Sequence, residues 1–531
     1  MEYISYSFIL FVVAGLVLYA LLPKLYGRYV LLLGSLLFVW LSGGALSLVF
    51  LCEAIAISFF GAWLIEKAAA PSVRRALFIA VLMFLLFSLF YFKYQNFPEY
   101  TKQLIYYLRG MEYEPVLTER EAPLGISFYT LMLISYVADV YRRACRPEAS
   151  LAGFALYGSY FGHIVQGPMD AYEDVGKQLS KDGGIRYQDL CDGALLLSIG
   201  LFKKLVISER LNIFVNSVFA DQYAWHWSIL LLGAAAFSLQ LYTDFSGCMD
   251  IVSGVSRMFG IRLSLNFRQP FFSQSISEFW RRWHITLGAF FRKYIYIPLG
   301  GNRKGSLRKF LNTVAVFLLS GLWHGGNWTF VIGTGLLHCA YMALGMLTKP
   351  FTGRLLKALH ISDKSRGLHV IRSLWVFVLV TIGFVFFRSD TVASAVDYLG
   401  GILSLQQSAY EEISLSYFGL AAADIWILIL GLAALFLLSL ASEMKETAEA
   451  LDTEKQAPLQ RESVQDKHKD TAEASASGGR NRAALAGLPG PLGAICISRK
   501  ENAVLLLLLI VIIFGCYGRG YDASAFIYAN F

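Results

Sequence analysis

Two histidines, His284 and His324, stand where imidazole is expensive to place. His284 closes EFWRRWH (278–284), a dense aromatic and basic cluster. His324 lies within FLLSGLWHGGNW (317–328), an otherwise apolar run. Imidazole titrates near neutrality, with an unperturbed pKa of about 6.5, so it is the side chain best poised to move protons. Away from water the neutral ring is favoured, and the neutral ring is the form that works as a general base. An ionisable group inside a lipid-spanning segment marks a functional site by default. The chemistry such a pair could carry is proton transfer at the membrane.

The elements that must hold these rings follow from composition. The chain has 531 residues, of which 56% are hydrophobic, 15% aromatic and 16% charged. Soluble domains average about 25% charged residues, so this chain cannot cover itself in polar surface. Apolar runs near the spanning length of about 20 residues recur. Clear ones are 8–22, 46–65, 76–91, 229–242, 370–387, 425–440 and 503–516; weaker ones are 151–165, 194–207, 311–323 and 330–347. They predict an all-α, polytopic membrane protein with about ten to twelve spanning helices. The first run has no basic flank and no small-residue cleavage site, so it is expected to remain as an uncleaved helix.

Basic residues set the expected orientation. Lys24 and Arg28 lie between the first two spans, and Lys67, Arg74 and Arg75 between the third and fourth. Ser42-Gly43-Gly44, between the second and third, carries no charge. The positive-inside rule then puts the N-terminus on the extracytoplasmic side and the clusters 142–146 and 303–309 at the cytoplasmic face of the inner membrane. That anchoring to membrane lipid accounts for the net charge of +8 and makes a nucleic-acid partner unnecessary. The seven cysteines are scattered without a CxxC pair, so neither a metal site nor a disulfide scaffold is indicated.

Three regions are expected along the chain: a membrane core over 1–442, a polar and disordered cytoplasmic linker over 443–500, and a last membrane helix with its tail over 501–531. The linker is rich in Glu, Lys, Ala, Ser and Gln, with a partly helical start expected at 443–454.

At helical spacing, Phe279, Trp280, Trp283, His284, Leu287 and Phe291 share one face, and Glu278, Arg281, Arg282 and Arg292 the other. A continuous helix with that pattern lies at the membrane boundary with His284 turned into protein. Plainer readings stand beside these. A histidine in an apolar span is commonly a packing residue, and Arg281-Arg282 a headgroup anchor. Asp244 and Asp250 could cap helices, Asp139 could pair with Arg142 one turn on, and His226 and His338 read as structural.

As strings, the residues resemble the membrane-bound O-acyltransferases. The resemblance rests on EFWRRWHITLGAFFRKYIYIPLGGNRKG (278–305) and SGLWHGGNWTFVIGTGLLH (320–338). Three further stretches agree in order: PLGISFYTLMLISYVADVYR (123–142), FGHIVQGPM (161–169) and LQLYTDFSGCMDIVSG (239–254). The sequence is most similar to the bacterial branch holding the alginate O-acetylation and teichoic-acid D-alanylation membrane subunits. The resemblance implies spanning, interfacial and re-entrant helices around a central tunnel. It implies transfer of an acyl group from a cytoplasmic thioester to a hydroxyl beyond the membrane, with no bound cofactor. His324 matches the family's catalytic histidine and His284 its partner.

On that footing His324 is expected to serve as general base and His284 to orient the thioester or steady the oxyanion. Substrate contacts are expected from Trp280, Trp283, Trp323, Asn327 and Asp244, and Arg281, Arg282, Arg303 and Lys304 suit a donor's phosphates. The expected donor is acetyl-CoA, with a D-alanyl carrier protein serving teichoic acid as the alternative. The expected acceptor is a cell-surface polysaccharide, reached with an extracytoplasmic acyltransferase partner protein. A transporter or flippase for lipid-linked sugars is the rival from another class; it calls for paired broken helices or inverted repeats, which the sequence does not display.

Overall fold

The computed structural model describes residues 1–180, 184–363, 365–410, 414–466 and 491–517, with side chains described outside 446–499. The chain folds as helices joined by turns, and the described residues hold no strand beyond an isolated bridge between Phe267 and Trp283. Six stretches are long and apolar enough to cross a bilayer: Lys24–Lys67, Pro71–Lys93, Trp227–Met258, Trp328–Ala358, Arg366–Arg388 and Ala422–Lys445. Shorter apolar helices cover Tyr6–Leu21, Ile126–Tyr141 and Val392–Leu403. The polytopic all-α expectation is met. Large apolar side chains such as Leu33, Phe87 and Trp426 stay exposed on these helices, as they do when lipid is the solvent.

Length explains one break. The helix Gly27–Lys67 has 41 residues. At 1.5 Å per residue it would run to about 60 Å, twice the hydrocarbon thickness of about 30 Å. Gly44 interrupts it at φ +72°, a left-handed value open to glycine, and so divides the stretch into two spans. The N-terminal ammonium donates to the Leu41 carbonyl at 3.2 Å and the Ser42 hydroxyl to the Met1 carbonyl at 2.7 Å. The chain start and the uncharged turn therefore share one face of the molecule.

Two expectations are corrected. The helix Ile276–Arg282 opens with Ser275 accepting from the Glu278 N–H, then stops; Trp283 is extended and His284 left-handed at φ 48°, ψ 53°. The continuous helix over 278–291 is thus two short ones. Competing backbone bonds are the cause: Arg268 N–H donates to Arg282 C=O at 2.9 Å and Ile285 N–H to Asn266 C=O at 3.0 Å. Asp139 pairs with Lys293 Nζ at 2.8 Å and Tyr294 Oη at 2.8 Å instead of with Arg142, because the turn after residue 291 brings both beneath it.

The helix beginning at Ala422 continues to Asp466, into the polar segment, and a further helix covers Pro491–Phe514. The rest of the expected linker, 467–490, and the tail from 518 onward lie outside the described residues.

Candidate active site

His324 is the last residue of the helix Gly305–His324, after which Gly325 is extended and the chain turns. The last carbonyls of a helix lack intrahelical donors and form the negative end of its dipole. Here they are met by the end of the helix Pro71–Lys93. Lys93 Nζ donates to the Trp323 carbonyl at 2.5 Å and to Ser127 Oγ at 2.9 Å, and the Tyr94 hydroxyl donates to the Leu322 carbonyl at 2.7 Å. The Lys93 ammonium also lies 5.4 Å from the Trp323 ring centre. Trp323 Nε1–H reaches the Ser127 carbonyl at 3.3 Å. The approach is close enough that a Cβ on Gly326 would stand 3.0 Å from the Lys93 carbonyl.

The His284 ring meets Phe245 at 5.0 Å between centres and Trp323 at 5.6 Å. The His324 ring meets Trp323 at 5.1 Å and Phe387 at 5.6 Å. Both imidazoles therefore pack edge-on against one indole. Each is almost wholly buried, at 1% and 2% exposure.

His284 keeps its left-handed backbone because its neighbours are tied. Asn266 Oδ1 accepts from Thr286 N–H at 3.1 Å and from the Thr286 hydroxyl at 2.9 Å, and Thr286 Oγ1 accepts from Met169 N–H at 3.0 Å. A left-handed non-glycine residue costs about 1–3 kcal/mol and persists only where its surroundings enforce it. This linkage also brings the 161–169 stretch beside the 278–305 stretch. Two buried imidazoles held in an aromatic frame can exchange a proton with a reacting oxygen or sulfur.

The other expected contacts divide. Trp280 Nε1–H donates to His338 Nδ1 at 3.2 Å, and Trp283 is buried among Phe267, Phe279 and Phe384; both belong to the aromatic wall behind His284. Asn327 caps the turn after His324, accepting from Thr329 N–H at 3.2 Å and donating to the Asp390 carbonyl at 2.9 Å. Asp244, next to the Phe245 that meets His284, is in a buried cluster where Lys204 Nζ is 2.6 Å from both Asp244 Oδ1 and Glu209 Oε1. Arg282 is held by Glu443 at 2.5 Å and Glu278 at 2.7 Å. Arg281, Arg303 and Lys304 are exposed.

A cavity of about 640 Å³ lies beyond His324, its wall including Asn212, Gln240, Asn327, Phe330, Phe387 and Arg388. Phe387, against which His324 packs, separates the imidazole from that space. Tyr100 also borders it, from the helix Phe97–Leu108 that follows Lys93. The cavity thus opens on the face opposite the basic turn 67–75. Lys93, Ser127, Phe387 and Gln240 went unnoticed in the sequence. Only Lys93, a cation at the end of an apolar span, carried a visible signal.

The sequence model for the membrane-bound O-acyltransferase family matches residues 80–382. A protein of Pseudomonas syringae pv. tomato named as a probable alginate O-acetylase, AlgI, is 36% identical over 409 residues, covering 75% of this chain and 74% of the relative. A peptidoglycan O-acetyltransferase of Helicobacter pylori is 31% identical over 415 residues, with 72% and 74% covered. A teichoic acid D-alanyltransferase of Bacillus subtilis is 30% identical over 237 residues, with 41% and 58% covered. With its buried histidine pair inside the matched region, the chain belongs to the membrane-bound O-acyltransferase family and is a multi-pass membrane O-acyltransferase.

Proposed function

We propose that this enzyme carries an acetyl group from cytoplasmic acetyl-CoA to a hydroxyl of a cell-surface polysaccharide, or of an extracytoplasmic partner protein that completes the transfer. The observation that carries the reading is the placement of two buried imidazoles on one indole, with Phe387 joining His324 to the cavity wall. Relatives named as an alginate O-acetylase and a peptidoglycan O-acetyltransferase support acetyl as the group and a polysaccharide as the acceptor. Exposed Arg281, Arg303 and Lys304 support a cytoplasmic origin for the phosphate-bearing donor. The N-terminus and the cavity then face outward from the inner membrane.

In this reading His324 takes the hydroxyl proton as the oxygen attacks the thioester carbonyl. The C–S bond breaks, the ester C–O bond forms, and the proton passes to the departing thiolate, so atoms and charge balance. His284 steadies the oxyanion of the tetrahedral intermediate or orients the thioester. The aromatic frame excludes water that would otherwise hydrolyse the donor.

The test uses purified protein in liposomes, with radiolabelled acetyl-CoA and a D-alanyl carrier protein compared as donors on a glycan acceptor. Label moving from acetyl-CoA alone supports the reading. Transfer only from the carrier protein would redirect it to D-alanylation, and consumption of neither would refute acyl transfer from these donors.

A further inference from the structure

Gln240 lies on the helix Trp227–Met258 and is 3% exposed. Its Nε2–H donates to Asn212 Oδ1 at 2.9 Å, while its Oε1 has no protein hydrogen-bond partner among the described residues. A buried amide oxygen left unmatched is costly, so such an atom on a cavity wall is explained by a donor that arrives from outside the protein. Gln240 lines the cavity of about 640 Å³ described above. That volume falls in the range of about 300–1,000 Å³ usual for ligand sites.

The rest of the wall identifies the class of ligand. Asn212, Asn216, Gln240 and Asn327 supply amides, each able to donate and accept. Arg388, whose Nη2 donates to Asn216 Oδ1 at 3.0 Å, shares the wall with Asp390, so opposite charges are both present. A phosphate ligand would call for an excess of cations, and an acyl chain for a continuous apolar lining. Mixed amides beside aromatic faces suit a molecule dense in hydroxyl groups. A second cavity of about 230 Å³ shares Tyr100, Gln103, Asn327 and Thr391 with the first and continues to Tyr107, Tyr113 and Trp328. The two together form an elongated site.

We propose that these joined cavities bind a carbohydrate chain directly, with Gln240 Oε1 accepting a hydrogen bond from a sugar hydroxyl. The inference rests on the proposed acyl transfer only in naming that chain the acceptor. Gln240 thereby sets which hydroxyl is presented toward Phe387 and His324.

The experiment uses the full chain in nanodiscs. Binding of cellohexaose and of a galacturonate hexamer is followed by calorimetry, while acetyl transfer to each hexamer is assayed in parallel. At least one hexamer is expected to bind, and Gln240→Leu is expected to weaken it about tenfold, the loss of one hydrogen bond to a buried acceptor. Asn216→Ala, at another point of the same wall, should weaken the same hexamer and guards against a folding defect in the first variant. Binding of neither hexamer by the wild-type protein, or unchanged affinity in both variants, would overturn the proposal. Binding that is lost in the variants, with no acetyl reaching either sugar, would support the site and contradict the acyl-transfer reading instead.

Discussion

The ammonium of Lys93 donates to the main-chain carbonyl of Trp323, the residue before His324, across 230 positions of sequence. A span that ends in lysine thus clamps the helix that ends in the histidine. The same ammonium holds Ser127, which takes the Trp323 indole N–H on its carbonyl.

Lys93→Met should therefore lower kcat while leaving KM for acetyl-CoA near wild type. A hydrogen bond to a charged group contributes about 1.5–3 kcal/mol, which corresponds to roughly 10- to 100-fold in rate if all of it positions His324. Lys93→Arg keeps the charge and should recover part of the loss. Steady-state kinetics on the three proteins checks this; a rise in KM alone would place Lys93 in donor binding.

His284 tests backbone and side chain separately. Both His284→Gly and His284→Ala remove the imidazole and should reduce acyl transfer alike. Glycine accepts φ 48° freely and alanine does not, so the alanine variant should be the less stable by about 1–2 kcal/mol. Thermal unfolding in detergent reads the difference. Equal melting temperatures would mean that the left-handed turn relaxes when the ring is gone.

Lys204 sits between Asp244 and Glu209 in the protein interior. Lys204→Met leaves two buried carboxylates and should cost about 3–5 kcal/mol, seen as lost folded protein on size exclusion. Adding Asp244→Asn should restore part of it. Normal yield and melting temperature for Lys204→Met would show that the cluster is hydrated.

Donor recognition separates the basic residues. Arg282 is committed to Glu278 and Glu443, whereas Arg281, Arg303 and Lys304 form no ion pair among the described residues and are exposed to solvent. Replacing those three with alanine should raise KM for acetyl-CoA several-fold and flatten its dependence on salt. Arg282→Ala should mainly lower thermal stability. Unchanged donor KM in the triple variant would leave these residues as lipid anchors.

Much of the site could be read from residue strings. His324 stood out because imidazole is rare in apolar runs, His284 because it closes an aromatic and basic cluster, and the spans followed from hydropathy. What stayed hidden depends on contacts distant in sequence. The aromatic periodicity of 278–291 persists through the break at His284, and the bonds that end the helix come from Asn266 and Arg268. Asp139 finds Lys293 rather than its neighbour Arg142 for the same reason. Gln240 lay within the apolar run 229–242 without being singled out, since only the assembled cavity shows its oxygen unmatched.

The most direct measurement is acetyl incorporation into surface glycan by cells carrying His324→Ala, normalised to protein inserted in the membrane. Loss of a positioned general base predicts a fall of about 10²- to 10⁴-fold. Incorporation at the wild-type level, with the variant folded and inserted, would contradict the assignment of His324 as the base.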